Sequence, residues 1–115
     1  QEKPDLFLFG QILLPGSKMS ISENKIKQLE KIAESVRRSL LKAIYEGKMG
    51  HPGGSLSATD ILVFLYFSKL RIYPQNPNHK DRDVFILSKG HAASALYSVL
   101  AERGFFPKDL LFHAG

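Results

Sequence analysis

The sequence predicts an α/β fold, rich in helix and incomplete within this chain, on three observations. A long stretch repeats apolar residues every three or four positions, as an amphipathic helix does. A short continuous apolar run, Val84-Phe85-Ile86-Leu87, has the look of a central strand buried on both faces. Short glycine-containing turns lead into further helical patterns, one of them directly after that run. Helices around one strongly buried strand form the opening of an α/β domain. One strand makes no sheet, so the rest of the sheet is expected from chain beyond these residues.

The elements follow in order. A first helix is expected from about Ser22 to Glu46, with Ile26, Leu29, Ile32, Val36, Leu40, Ala43 and Ile44 on one stripe. Ser20 and Glu23 have capping-box spacing, and Gly47 suits a C-terminal stop. Lys48 to Ser57 is rich in glycine with one proline and reads as a loop. Ser57 is then expected to cap a second helix, with Asp60 three residues on. That helix runs to about Lys69 and is apolar on most sides (Ile61 to Phe67), which predicts burial all round. Tyr73 to Asp83 is a polar connection, and after the strand Ser88-Lys89-Gly90 forms a turn. His91 opens a third helix with Ala92, Ala95, Leu96, Val99 and Leu100 inward, ending at Gly104. Pro107 can begin a fourth, short helix as its first residue.

The chain has 115 residues, 43% hydrophobic and 23% charged, an ordinary globular mixture of one domain at most. It has no cysteine, which excludes disulfides and thiolate metal sites and fits a reducing, cytoplasmic setting. Net charge is +5 and the pI about 9.6. The bases are dispersed among acids at helical spacing, as in Glu23 with Lys27 and Glu34 with Arg38, which marks a solvated face rather than a nucleic-acid surface. No run approaches the ~20 apolar residues of a membrane span. Residues 1–18 carry Leu6-Phe7-Leu8-Phe9 and Ile12-Leu13-Leu14 without a cleavage site, and Met19 stands before a helix start. They are expected to be a leader or N-terminal extension, with an arm that packs on a partner as the other reading. Residues 19–115 then form the domain portion.

Two histidine stretches carry the chemistry. Ser88-Lys89-Gly90-His91-Ala92 joins a strand to a helix N-terminus, where unpaired N–H groups and partial positive charge favour an anion. Gly90 lets backbone approach a ligand, and ligands of open α/β sheets bind beyond the strands' carboxyl ends. His91 there can hydrogen-bond a phosphate oxygen, or it can simply cap the helix. His51 is followed by Pro52, which fixes φ, and by Gly53 and Gly54. A histidine so held suits a role at a fixed position, or it can be an exposed turn residue. Ser55 and Ser57 add hydroxyls. No metal-ligand set is visible: the four histidines lie far apart and no acidic cluster accompanies them.

Taken together, Gly50-His51-Pro52-Gly53-Gly54-Ser55-Leu56-Ser57 followed by Asp81-Arg82-Asp83-Val84-Phe85-Ile86-Leu87-Ser88-Lys89-Gly90-His91-Ala92 resembles the beginning of transketolase. Tyr73-Pro74-Gln75-Asn76-Pro77, Leu96-Tyr97 and Ala101-Glu102-Arg103-Gly104 are similar to that family as well. The resemblance runs from about Lys25 to Leu111 and looks closest to the separate N-terminal subunit of transketolases made as two polypeptides. Pro52, Gly54 and Lys89 depart from the pattern of deoxyxylulose-phosphate synthase, whereas dihydroxyacetone synthase shares the transketolase pattern.

The resemblance implies the opening portion of the thiamine-diphosphate-binding fold, a parallel sheet flanked by helices. It implies transfer of a two-carbon ketol unit from a ketose phosphate to an aldose phosphate. The cofactor's thiazolium carbon supplies the nucleophile and electron sink, and the protein supplies position and electrostatics. By the same resemblance His51 is catalytic and contacts substrate together with Ser55, while His91, Gly90 and Ser88 contact the cofactor's diphosphate. His79 and His113 match no family site and read as surface or packing residues. The family's Mg²⁺ or Ca²⁺ site, a Gly-Asp-Gly segment with a later Asn, and its activating glutamate have no counterpart in these residues. The implied partners are sugar phosphates and either a C-terminal transketolase subunit or a second copy of the enzyme, with no nucleic acid or membrane. The chain alone is expected to be inactive. The alternatives are the opening of deoxyxylulose-phosphate or dihydroxyacetone synthase, or a non-catalytic module that binds another subunit.

Overall fold

The computed structural model describes residues 21–112. The expectations for residues 1–18, for Ser20 and for His113 lie outside that range. Three helices dominate it: α1 (Glu23–Gly47), α2 (Pro52–Phe64) and α3 (Ala93–Arg103). Shorter turns accompany them, a π-helical one at Leu65–Lys69 and 3₁₀ ones at Gly90–Ala92 and Lys108–Phe112.

α1 forms as its periodicity predicts. Its N-cap is Ser22, whose hydroxyl accepts the Lys25 N–H at 3.1 Å. Its last turn is closed by Lys48 in left-handed backbone (φ 56°, ψ 31°), one residue beyond the expected stop at Gly47. Ala33, Val36 and Leu40 are buried, with Leu29, Ile32 and Ile44 packed beside them. They meet Leu62, Val63 and Tyr66 from α2 and its π turn, and Ala95 and Val99 from α3.

Side-chain contacts fix the helix directions. Lys25 Nζ donates to the Phe67 carbonyl (3.1 Å), and Arg37 pairs with Asp60 (3.0 Å). Ser35 donates to Glu102 (3.1 Å), while the far end of α1 lies against Gly50 and Ser94. Both α2 and α3 therefore run antiparallel to α1 and parallel to each other. The π turn leaves carbonyls without helical donors, and cations meet two of them: Arg103 Nε at Tyr66 O (2.9 Å) and Lys25 at Phe67 O. Gly104 (φ 105°) ends α3 in a Schellman motif, with the Phe105 N–H bonded to Leu100 O at 3.0 Å.

Three expectations change. The segment after His51 is no loop: α2 starts at Pro52, because proline at the first helical position lacks only an N–H that would be orphaned anyway and brings the right φ. Ser57 consequently sits inside α2, and its hydroxyl donates back to Gly54 O (3.0 Å) instead of capping. α2 is also not buried all round, since Ile61 is 62% exposed. Finally, Val84–Leu87 has no regular secondary structure and joins no β-ladder among the described residues. Val84 and Ile86 are 67% and 82% exposed, while Phe85 packs on the core and its ring meets Tyr66 edge-on at 5.9 Å. A strand covered on both faces needs neighbours, and no strand exists among the described residues.

Asp83 anchors the start of this segment. Its carboxylate accepts the Arg71 N–H (2.6 Å) and guanidinium (3.1 Å), and its own N–H donates to Arg71 O (2.7 Å). The Arg71 backbone N–H, and next its side chain, hold the Asp83 carboxyl below the usual carboxylate range. Within the loop so closed, the His79 ring stacks on Tyr73 (3.9 Å, 20°), and His79 Nδ1 accepts the Asp81 N–H at 3.0 Å.

Candidate functional site

Because α2 and α3 are parallel, their N-termini lie at the same end of the molecule, and each carries one of the two histidines. His51 is the N-cap residue of α2, in extended backbone, and makes no side-chain cap. His91 is the middle residue of the 3₁₀ turn that leads into α3, again without a side-chain cap at either start. The two imidazoles meet edge to face, 4.4 Å between centroids at 80°, although forty residues separate them in sequence. Both are solvent-exposed.

Gly50 makes the approach possible. It has φ 130°, and a Cβ there would lie 2.7 Å from Ile44 Cγ1 and 3.4 Å from Ser94 Oγ. Only glycine lets the chain leave α1, press against Ile44 and Ser94, and re-enter as α2 with His51 at its cap. Gly54 faces the second turn, where a Cβ would lie 3.8 Å from the His91 carbonyl and from Lys89 Cε. Gly53 and Gly90 have open space where a Cβ would be.

The arrangement supplies anion-binding chemistry. The Gly53 and Gly54 N–H groups belong to the first turn of α2 and have no intrahelical acceptor, the first such bond being Ser55 N–H to His51 O at 3.0 Å. Two helix N-termini add their partial positive charge at one place. Exposed imidazoles and open backbone at Gly53 and Gly90 leave room for a ligand to approach. These features fit a diphosphate. Among the described residues no three His, Cys, Asp or Glu side chains gather as a metal site, and no helix is long and apolar enough to cross a membrane.

The structure thus brings together His51 and His91, with Gly90 next to His91 in the same turn, and leaves Ser88 exposed just before that turn. It separates Ser55 from them: that residue is 0% exposed, and its Oγ has no hydrogen-bond partner. Its backbone carbonyl accepts the Thr59 hydroxyl (2.9 Å). The hydroxyl expected to meet substrate faces the packed interior because the N-cap of α2 lies six residues earlier, at His51 rather than Ser57, which turns Ser55 onto the core face with Thr59 and Leu62. Lys89 and Ser57, which sequence reasoning does not single out as site residues, are joined by a 3.3 Å hydrogen bond across the two stretches. Proline as a first helical residue is the available sign, since it places Gly54 and Ser57 on consecutive turns of one helix.

Residues 28–111 match the family described as "Transketolase, thiamine diphosphate binding domain". The chain is 38% identical over 86 residues to one of the subunits of an apulose-4-phosphate transketolase from Phocaeicola vulgatus, covering 75% of this chain and 31% of that protein. It is 44% identical over 91 residues to a 6-deoxy-6-sulfo-D-fructose transketolase subunit from a Clostridium species, covering 79% and 33%. Human transketolase is 40% identical over 91 residues, covering 79% of this chain and 15% of the enzyme. The chain therefore spans about a third of the subunit relatives and less of the longer ones. With the two histidine stretches at paired helix N-termini and a family match over most of its length, the chain belongs to the transketolase family, as part of its thiamine-diphosphate-binding domain.

Proposed function

We propose that this chain supplies one side of a ketol-transfer site, with His91 at the cofactor's diphosphate and His51 at the reacting sugar. The observation that carries the reading is the meeting of the two imidazoles over two uncapped, parallel helix N-termini. Thiamine diphosphate, when bound, supplies the nucleophilic carbon and electron sink for moving a two-carbon unit between sugar phosphates.

The chain's own residues bind and orient. The first-turn N–H groups of α2 and the turn Ser88–His91 offer donors and positive potential to phosphate oxygens. His91 donates an imidazole N–H to the diphosphate. His51 stands next to it and donates to the sugar oxygen on which negative charge grows, worth about a hundredfold in rate for such a placed group. Ser55 is left out of the ligand contacts, because its side chain is enclosed.

The reading includes what must come from elsewhere. The exposed faces of Val84 and Ile86 fit a strand awaiting neighbours, which the parallel sheet of an α/β domain would provide. The Mg²⁺ or Ca²⁺ ligands and the activating glutamate come from other residues, in a partner subunit or further chain. Relatives whose names make them single subunits of a transketolase support the two-polypeptide form. The deoxyxylulose-phosphate and dihydroxyacetone synthase readings are less favoured, since the relatives above carry transketolase names.

The test mixes the chain with xylulose 5-phosphate, ribose 5-phosphate, thiamine diphosphate and Mg²⁺. The isolated chain gives no turnover, and activity appears once the complementary part is added. Turnover by the chain alone would refute the half-site.

A further inference from the structure

Lys89 is the charged residue of the second stretch whose side chain has been given no role of its own. Its side chain crosses from the turn at Gly90 to α2, and its ammonium donates to Ser57 Oγ at 3.3 Å. Ser57 donates its own hydrogen to the Gly54 carbonyl at 3.0 Å, so its lone pairs are free for the lysine. The lysine stem passes beside Gly54, where a Cβ would be 3.8 Å from Lys89 Cε and 3.9 Å from His91 Cβ. A Cβ at Gly54 would thus touch Lys89 and His91 together, in the first turn of the helix whose N-cap residue is His51.

The location is electrostatically unhelpful to a cation. Lys89 is the residue preceding the 3₁₀ turn and α3, and its ammonium rests near the start of α2, both positive helix ends. Among the described residues no carboxylate pairs with it. Helix dipoles do not draw the side chain there; the hydroxyl of Ser57 does. We propose that Lys89 is a positioning residue: through Ser57 it latches the turn carrying His91 onto the first turns of α2 and so sets the distance between the two imidazoles.

The inference rests on the site reading above only where an anion is used as probe. The experiment is NMR on the full chain, with Ser57→Ala as the main variant, because it removes the latch and keeps the lysine charge. Two quantities are read: the cross-relaxation between the His51 and His91 ring protons, and the affinity for inorganic pyrophosphate. Ser57→Ala should weaken the ring–ring signal and lower pyrophosphate affinity about 2- to 5-fold, the factor of one exposed hydrogen bond. In a Lys89→Met background, Ser57→Ala should change neither quantity further, and Lys89→Arg should retain both. Unchanged ring–ring contact in Ser57→Ala and Lys89→Met overturns the proposal. So does loss of pyrophosphate binding in Lys89→Met with none in Ser57→Ala, which would make the lysine a direct anion contact. If wild type ignores pyrophosphate, the cofactor reading fails, and the ring–ring contact still decides the latch.

Discussion

Gly50→Ala should be among the most damaging single substitutions in the chain. The added Cβ meets Ile44 Cγ1 at 2.7 Å and Cδ1 at 3.3 Å. Cδ1 can swing away, but Cγ1 is fixed by the one χ1 rotamer that a β-branched residue favours in a helix, so α1 or the loop must move. Such overpacking costs roughly 1–3 kcal/mol. The φ of 130° adds about 1–3 kcal/mol, since only glycine occupies it without strain. The expected loss is about 2–6 kcal/mol, a large share of a small domain's stability. Urea unfolding of the full chain, followed by helical circular dichroism, measures it. Removing the obstacle tests the cause: Ile44→Ala costs stability itself, but Gly50→Ala in that background should cost about 1 kcal/mol or more less than in wild type. A Gly50→Ala variant within about 0.5 kcal/mol of wild type, or no coupling to position 44, would refute the steric argument.

The neighbouring glycine should behave oppositely. Gly53→Ala has open space for its methyl and lies in the first turn of α2, so it should stabilise by about 0.5–1 kcal/mol in the same titration. Lys48→Gly relieves a left-handed non-glycine residue and should add about 1 kcal/mol, less what the lysine gains over the Tyr45 ring (5.5 Å). Asp83 titrates below its ordinary value, so its contribution is complete above about pH 4 and is lost as pH falls through the lowered value. Asp83→Asn should therefore flatten the fall of stability with acid in pH-dependent unfolding, and an unchanged acid limb would remove the Arg71 clamp from the account. Ser55→Ala deletes a buried hydroxyl that has no partner and should be neutral or stabilising by thermal melt; a clear loss would mean that the hydroxyl is bonded in solution.

The helices are legible wherever one face repeats. α1 and α3 appear where Val36, Leu40, Ala95 and Val99 place them, because burial of a single stripe dominates their formation. The start of α2 is not legible by glycine counting: Gly53 and Gly54 lower helix propensity, yet Pro52 at the first position and the packing of Thr59, Leu62 and Val63 outweigh them. The apolar run at Val84–Leu87 reads as a strand from local composition, whereas a ladder needs a second strand, which no local pattern can supply. The histidine pair stands out from its sequence stretches, but its contact depends on α2 and α3 running parallel, a property of the packed helices. The burial of Ser55 is not legible for a periodic reason, since moving the helix start moves the face on which its side chain falls.

The two adjacent histidines are held to do different work, and one comparison tests that claim most directly. In the enzyme assembled with its complementary part, His51→Ala should lower kcat about a hundredfold while leaving thiamine diphosphate affinity near wild type. His91→Ala should weaken thiamine diphosphate binding about tenfold, the value of one charge-assisted hydrogen bond, with a smaller effect on kcat at saturating cofactor. Equal and negligible effects from both substitutions would contradict the account and leave the imidazole pair a packing feature of two helix ends.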